Sequence, residues 1–348
     1  MRIVIDVTPL SHPRTGIGNY MLGMLGGLAE AAGGRHELVH FAPTGPRNVA
    51  RLRAALDGIP GERRLVVVPP PSNVWRKLWS RAQRFPVERL VGPLDVFHFS
   101  DWMYPPQRSG LRTTTVHDLG PIHHPEWVDR RTRALHVPKA HNAAKTCNLI
   151  FANSRYTAND VERTLGVRAE KIVVAYPGIH PRFTPDGPAA RGDYVLAVGT
   201  GGERKNLERA ATAARIAGVE LRVVGVEGSL GFVEDDHLAQ LYRGAKAFVF
   251  PSLFEGFGIP VVEAMACGTP TVVSAHPSLD EASGSAAVRV DPFHPEAIAA
   301  GIERAIDERE TLVPRGLTHA ARFTWRACGE AMLCGYEAAR AFARRTAQ

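Results

Sequence analysis

Short runs rich in β-branched residues alternate along this chain with stretches whose apolar positions repeat at helical spacing. In the first half the runs RIVIDV (2–7), ELVHFA (37–42), RLVVVP (64–69), DVFHFS (95–100), TTTVHD (113–118), LIFAN (149–153) and KIVVAY (171–176) predict strands. A glycine-containing turn and a helix from Asn19 to Ala31 follow the first of them. The second half repeats the plan with YVLAVG (194–199), ELRVVG (220–225), AFVFPS (247–252), PTVVSA (270–275) and AAVRVD (286–291). Helical patterns fill 206–217, 234–245, 260–267 and 295–309, and the stretch from Thr324 to about Arg345 reads as one long helix. Nearly continuous apolar strands separated by helices predict parallel sheets covered on both faces. The segment PGIHPRFTPDGPAARG (177–192) has no periodicity and many breakers, which marks a boundary. The pattern therefore predicts an α/β protein of two tandem, doubly wound, Rossmann-like domains, 1–180 and 190–323, with a C-terminal helix over 324–348 expected to cross back to the first. Such sheets bind ligands beyond the C-terminal ends of their strands, and two of them facing each other would create one central cleft.

Bulk properties agree with that organisation. A length of 348 residues exceeds one comfortable core, and 45% hydrophobic with 22% charged residues matches a globular chain. No apolar run approaches the roughly 18 residues of a membrane span. The N-terminal apolar run contains Asp6 and no small-residue cleavage site, so it reads as a strand and not a secretory signal. Cys147, Cys267, Cys328 and Cys334 are scattered, without a C-x-x-C pair or a histidine cluster. That spacing predicts reduced thiols and a cytoplasmic location. Of the net charge of +7, residues 1–180 carry +10 and residues 181–348 carry −3. Nucleic acid, a phosphorylated acceptor, an anionic membrane surface and a plainly solvated basic face all fit the basic half.

The densest chemistry lies in FVFPSLFEGFGIPVVEAMACGTPTVVSA (248–275). A strand feeds a loop with Glu255, Gly256, Phe257 and Gly258, and a helix then opens with Pro260 near its first position. Glycines allow close backbone approach, and a helix N-terminus supplies N–H donors suited to a diphosphate. Seven residues separate Glu255 from Glu263. The helix dipole alone accounts for a carboxylate early in a helix, whereas the loop carboxylate Glu255 needs a partner, and sugar hydroxyls suit both. In VGTGGERKNL (198–207) a glycine turn precedes Arg204 and Lys205. Preorganised cations favour a leaving group that accumulates negative charge; otherwise they are solvated charges after a turn. No D-x-D pair occurs, so with both cations available no metal or other cofactor is expected. Gly16 and Gly18 follow the first strand, but Met21 stands where a dinucleotide fingerprint needs glycine, and no acidic residue ends the second strand. A nicotinamide enzyme is thus disfavoured. The turn either approaches donor phosphates or acceptor, or is merely tight. His117 and Asp118 close a strand, and Ser154 beside Asn153 is placed as a helix N-cap.

Together these segments resemble the family 4 retaining glycosyltransferases, enzymes of the GT-B fold. The paired glutamates Glu255 and Glu263 carry the resemblance, with RTGIGNY (14–20), VHDL (116–119), Asn153-Ser154, the RKN run (204–206), GFVEDDHLAQLY (231–242) and Trp325. The resemblance spans nearly the whole chain. It implies that Glu255 contacts the donor sugar and Glu263 the nucleotide ribose. Gly256, Phe257, Gly258 and Ile259 would lie along sugar and diphosphate, and His117 beside the sugar. Many relatives carry the arginine several residues before the lysine, where this chain has Thr200 and Gly201, so Lys205 is the firmer counterpart. Phe232 and Val233 are expected along the base, with Asn153 on the acceptor side and Asp118 either there or orienting His117. The resemblance implies same-face transfer, in which a diphosphate oxygen helps to take the acceptor proton. Its mannosyltransferase-like members point to GDP-mannose, while UDP-glucose and UDP-N-acetylglucosamine stay open, as does the glycan or lipid-linked acceptor.

Segment 74–85, VWRKLWSRAQRF, sets Trp75, Leu78, Trp79 and Phe85 against Arg76, Lys77, Arg81 and Arg84. It either packs its tryptophans onto the first domain or lies on anionic lipid at the inner face of the plasma membrane. A glycosyl phosphorylase and a non-catalytic sugar-nucleotide-binding subunit are the competing readings. Nucleic acid is disfavoured as a partner, because it explains the basic half and none of the residues above.

Overall fold

The computed structural model describes residues 1–13, 15–61, 64–82, 85–100 and 103–346, without the side chains at 80–82 and 346. Arg14, Arg81, Ala82 and Arg84 of the segments discussed above therefore lie outside the described residues or side chains. The chain divides into two compact units, Met1–Gly178 with Trp325–Gln348, and Ile179–Thr324.

In the first unit the order is β1 (Arg2–Asp6), α1 (Gly16–Ala32), β2 (Glu37–Pro43), α2 (Pro46–Leu56), β3 (Arg64–Val68), α3 (Ser72–Ala82), α4 (Glu88–Val91) and β4 (Val96–Phe99). There follow β5 (Leu111–Val116), α5 (Gly120–His123), α6 (Arg130–Thr146), β6 (Leu149–Ala152), α7 (Arg155–Leu165) and β7 (Ile172–Val174). The strands form one parallel sheet in the order β3-β2-β1-β4-β5-β6-β7. The second unit contains β8 (Tyr194–Val198), α8 (Leu207–Ile216), β9 (Glu220–Val224), α9 (Asp235–Gly244), β10 (Ala247–Phe250) and α10 (Ile259–Ala266). It continues with β11 (Thr271–Ser274), α11 (Asp280–Ser283), β12 (Ala287–Val290), α12 (Pro295–Asp307) and α13 (Arg309–Ala320). Its parallel sheet runs β12-β11-β10-β8-β9. The final helix, α14 (Trp325–Thr346), belongs to the first unit and packs on α1.

Local chemistry sets the helix ends. Thr15 accepts from Gly18 N at 3.2 Å to open α1, and Gly33, at φ 52°, closes it. Asp129 caps α6 through Arg131 and Thr132, and Ser154 caps α7 by accepting from Thr157 N at 2.9 Å. The hydrophobic pattern does not predict α2, α6, α7 or α13. Their apolar positions are sparse, and Pro138 and Pro314 stand inside α6 and α13.

Burial explains the pairing of elements. In the first sheet Val4, Val39, Phe97 and Ile150 form one core with Trp75 and Trp79 of α3. Trp79 donates its Nε1–H to Phe85 O at 3.0 Å, so the tryptophans of segment 74–85 serve the protein interior; Val74 and Leu78 are the exposed large apolar residues of α3. On α1, glycines admit the last helix. A Cβ at Gly23 would meet the Trp325 indole at 1.9 Å, and one at Gly27 would meet Trp325 O at 1.8 Å. The two backbones therefore approach more closely than any larger residue permits.

Candidate active site

Each sheet has one place where its strand order reverses, between β8 and β10 in the second unit and between β1 and β4 in the first. Crevices beyond the strand ends open at such switch points.

In the second unit the loops after β8 and β10 meet at that point. Gly202, at φ 119°, starts a short 3-10 turn, Glu203–Lys205. Asn206 follows in the left-handed region at φ 56°, which asparagine tolerates better than most residues. Its buried amide donates to Pro251 O at 3.1 Å and Pro292 O at 2.6 Å, and its Oδ1 accepts from Arg209 at 2.8 Å. Leu253 N and Ser252 Oγ both donate to Arg204 O, at 2.9 Å and 3.1 Å. The two loops are thereby stitched together over some fifty positions of sequence. Sequence reading noted Asn206 only as part of the RKN run; its structural work is visible through the positive φ and the two carbonyls it reaches.

The stitching assembles Arg204, Lys205 and Glu255. Lys205 Nζ lies 2.6 Å from Glu255 Oε1 and 4.9 Å from the Phe250 ring centroid, and Arg204 Nη1 lies 3.0 Å from Oε2. Ser252 Oγ donates to Oε1 at 2.6 Å, and the Glu255 amide donates to Ser278 Oγ at 3.1 Å. Glu255 is only 8% exposed. Burial alone would raise its pKa, but Lys205, Arg204 and the Ser252 hydroxyl outweigh it and hold the carboxyl below its ordinary value. The arginine side chain retains 33% exposure and the lysine 14%, so both cations border solvent on one side. Arg204 is thus directed into the constellation and not outward.

Gly258 opens α10 at φ 102°, and a Cβ there would meet Leu279 at 2.7 Å. Glycine is required, and it brings the backbone of Gly256–Ile259 into the loop beside Glu255. The Phe257 side chain is buried, with its ring 5.1 Å from Phe323. Glu263 lies beyond the first turn of α10, where attraction to the helix dipole fades. The Tyr242 hydroxyl donates to it at 3.2 Å. Phe232, 60% exposed, and Val233 lie on the connection from β9 to α9.

In the first unit the reversal is marked by a residue that sequence reading used only against a signal peptide. Asp6 ends β1, is 1% exposed, and accepts from Thr8 and from the amide and hydroxyl of Ser100 beyond β4. Burial outweighs these bonds and raises its pKa. A small pocket beside it is lined by Ile17, Tyr20, Met21, Ser100, Thr115 and His117, among others. The His117 ring meets Tyr20 edge-on at 4.5 Å, and Tyr20 meets Trp325 of α14 at 5.5 Å. Buried Lys139 donates to Thr115 O at 2.8 Å, and Thr157 Oγ1 donates to His117 O at 3.3 Å, which fixes the end of β5.

Two expectations change. Gly16 and Gly18 form the first turn of α1 with no positive φ, and a Cβ at either has room. The link from β1 to α1 is therefore not a tight turn that needs glycine. Asp118 Oδ1 accepts from Gly120 N at 2.9 Å, which commits that oxygen to starting α5 and not to orienting His117. Asn153 is buried, and its Oδ1 has no hydrogen-bond partner among the described residues. Among the described residues no group of three or more His, Cys, Asp or Glu is placed to hold a metal ion, and no helix is long and apolar enough to cross a membrane.

Comparison with known proteins assigns the family. Residues 194–316 match the Glycosyl transferases group 1 family, and residues 14–183 match Glycosyltransferase Family 4. The chain is 28% identical to the Escherichia coli O-antigen chain mannosyltransferase B, over 97% of this chain and 100% of that protein. It is 26% identical to the O-antigen chain mannosyltransferase RfbU of Salmonella typhimurium, over 61% of this chain and 65% of that one. Among solved structures, sucrose-phosphate synthase from Thermosynechococcus elongatus superposes with a TM-score of 0.70 at 17% identity, covering 99% of both chains. The Anabaena protein HepE, crystallised with UDP and glucose, superposes at 0.68 and 16% identity over 97% of this chain and 100% of that one. Two parallel α/β sheets of this topology are the GT-B fold. The two domain matches, which between them take in every strand but β1, and the mannosyltransferase relatives just described establish that the chain is a glycosyltransferase and belongs to the group 1, family 4 glycosyltransferases.

Proposed function

We propose that the protein transfers a hexose, mannose from GDP-mannose in the first instance, to a glycan or lipid-linked acceptor with retention and without a metal ion. One observation carries the donor reading: the reversal of the second sheet gathers Arg204, Lys205, Glu255 and the start of α10 in one place. Two cations and a helix N-terminus suit the charge that accumulates on a departing nucleoside diphosphate. Glu255 suits the sugar hydroxyls, and Glu263, braced by Tyr242, suits the ribose. Phe232 and Val233 are assigned to the base. Within the first unit, His117, held by Tyr20 and Thr157, is assigned to the sugar and Asn153, with its unpaired amide oxygen, to the acceptor. Same-face displacement needs no enzyme nucleophile, because the acceptor oxygen attacks the anomeric carbon on the face that the diphosphate leaves, and no separate enzyme base, because a diphosphate oxygen takes the acceptor proton; catalysis then rests on positioning and electrostatics.

The lean towards mannose rests on the two O-antigen mannosyltransferase relatives, while the HepE complex keeps UDP-glucose as the alternative donor. Attachment to anionic membrane through 74–85 would rest on Val74, Leu78 and Lys77, since the tryptophans are buried. Flotation with anionic vesicles at low salt tests it, and no binding removes it. For the donor, melting temperatures with GDP, UDP, ADP and their sugar conjugates are compared for wild type and Glu263→Ala. A ligand that binds only the folded chain raises its stability by mass action. The expected result is a shift selective for one base that is lost in Glu263→Ala. A shift with phosphate and sugar phosphates, and with no nucleotide, would replace this reading by a glycosyl phosphorylase.

A further inference from the structure

The contacts of Glu255 bear on more than sugar binding. Its two oxygens are engaged by the same two cations that a diphosphate needs, Lys205 on Oε1 and Arg204 on Oε2. A hydroxyl from Ser252 completes the carboxylate's shell in a place almost closed to solvent. A diphosphate that pairs with Arg204 and Lys205 from their solvent side therefore competes with Glu255 for them. A buried carboxylate stripped of its cations is strongly destabilised unless other donors replace them. A nucleotide sugar brings such donors, its hydroxyls, on the same molecule as the diphosphate. A bare nucleoside diphosphate brings only its ribose hydroxyls, which the reading above gives to Glu263.

We propose, resting on the donor-site reading above, that Glu255 is an internal competitor of the nucleoside diphosphate and sets the preference of the site for nucleotide sugar over bare nucleotide. The incoming sugar draws the carboxylate off the cations. Once the sugar has passed to the acceptor, the carboxylate retakes them and favours departure of the spent diphosphate. The exchange is of ionic and hydrogen-bonding partners only, and no covalent bond to the enzyme forms or breaks. Glu255 thereby has two roles, one towards the sugar and one against the product.

The test is calorimetric titration of the wild type, Glu255→Gln and Glu255→Asp with GDP and UDP and with GDP-mannose and UDP-glucose. Glutamine keeps the shape and removes the competing charge. It should bind the preferred nucleoside diphosphate about tenfold tighter or more, the worth of one released charge-assisted hydrogen bond. Its affinity for the matching nucleotide sugar should not rise, so the ratio of the two affinities falls. Should Glu255→Gln fail to fold, as judged by circular dichroism, Glu255→Asp decides. Its shorter side chain does not span both cations, and it should shift the ratio the same way by a smaller factor. A variant that binds nucleoside diphosphate no tighter than wild type overturns the proposal. An equal gain for nucleotide and nucleotide sugar also overturns it, because that reports a general charge effect and not an exchange. If none of the proteins binds any of the nucleotides, the donor-site reading itself falls and takes the proposal with it.

Discussion

Asn206 offers the sharpest test of how the second unit builds its site. Its backbone lies at φ 56°, and its buried amide donates to Pro251 O and Pro292 O. Substitution by alanine removes both bonds, at about 1 kcal/mol each, and puts a residue that tolerates the left-handed region less well than asparagine there, so it should cost about 2–3 kcal/mol. Asn206→Gly loses the same bonds but relieves the strain that any Cβ carries at this φ, so it should cost about 1 kcal/mol. The alanine-minus-glycine difference therefore isolates the conformational term at about 1–2 kcal/mol. Urea unfolding followed by a probe in the second unit reads the stabilities, and nucleotide titration reads the site. Both variants should bind nucleoside diphosphate more weakly, because the turn that carries Arg204 and Lys205 is held less firmly to the loop that carries Glu255. Equal stability of the alanine and glycine variants would refute the strain argument. Undiminished nucleotide affinity in both would refute the claim that Asn206 positions the cations.

Three other outcomes are expected. Gly27→Ala drives a Cβ into Trp325 O and should destabilise the first unit by about 1–3 kcal/mol or more, whereas Gly26→Ala, one residue away with nothing within 4 Å, should stabilise it by about 0.5–1 kcal/mol. Thermal unfolding of the pair checks this. Glu255 has a folded-state pKa below its ordinary 4.5, so its contribution to stability is complete above that value and is lost as the pH falls through the lowered one. Asp6, whose pKa is raised, contributes with the opposite sign, so the comparison of Glu255→Gln with wild type across acid pH isolates Glu255, and the variant should show the shallower acid limb. Transfer activity should survive saturating chelator, and its abolition would overturn the metal-free mechanism.

The twelve described strands were all legible in the sequence, because buried parallel strands are rich in apolar and β-branched residues and such runs are local. The same holds for the Ser154 cap and for the glycine and proline that open α10, whose chemistry acts within a turn. A loop glutamate and two adjacent cations likewise stood out, by residue type and spacing, as the charged residues that the second unit brings together. The partner of each was not readable. Arg204 and Lys205 meet Glu255 because two loops converge where the sheet order reverses, and Asn206 holds them there; strand order is a property of the whole unit and leaves no local mark. Asp6 looked like an odd polar residue in an apolar strand, and only its neighbour Ser100, placed by the pairing of β1 with β4, shows what it holds. Nothing local shows what Gly23 and Gly27 of α1 admit, and only α14, some three hundred residues later, lies against them. Sequence alone determined the elements and the chemical inventory, since these depend on neighbours along the chain. The tertiary structure decided which charge faces which, since burial and pairing depend on neighbours in space.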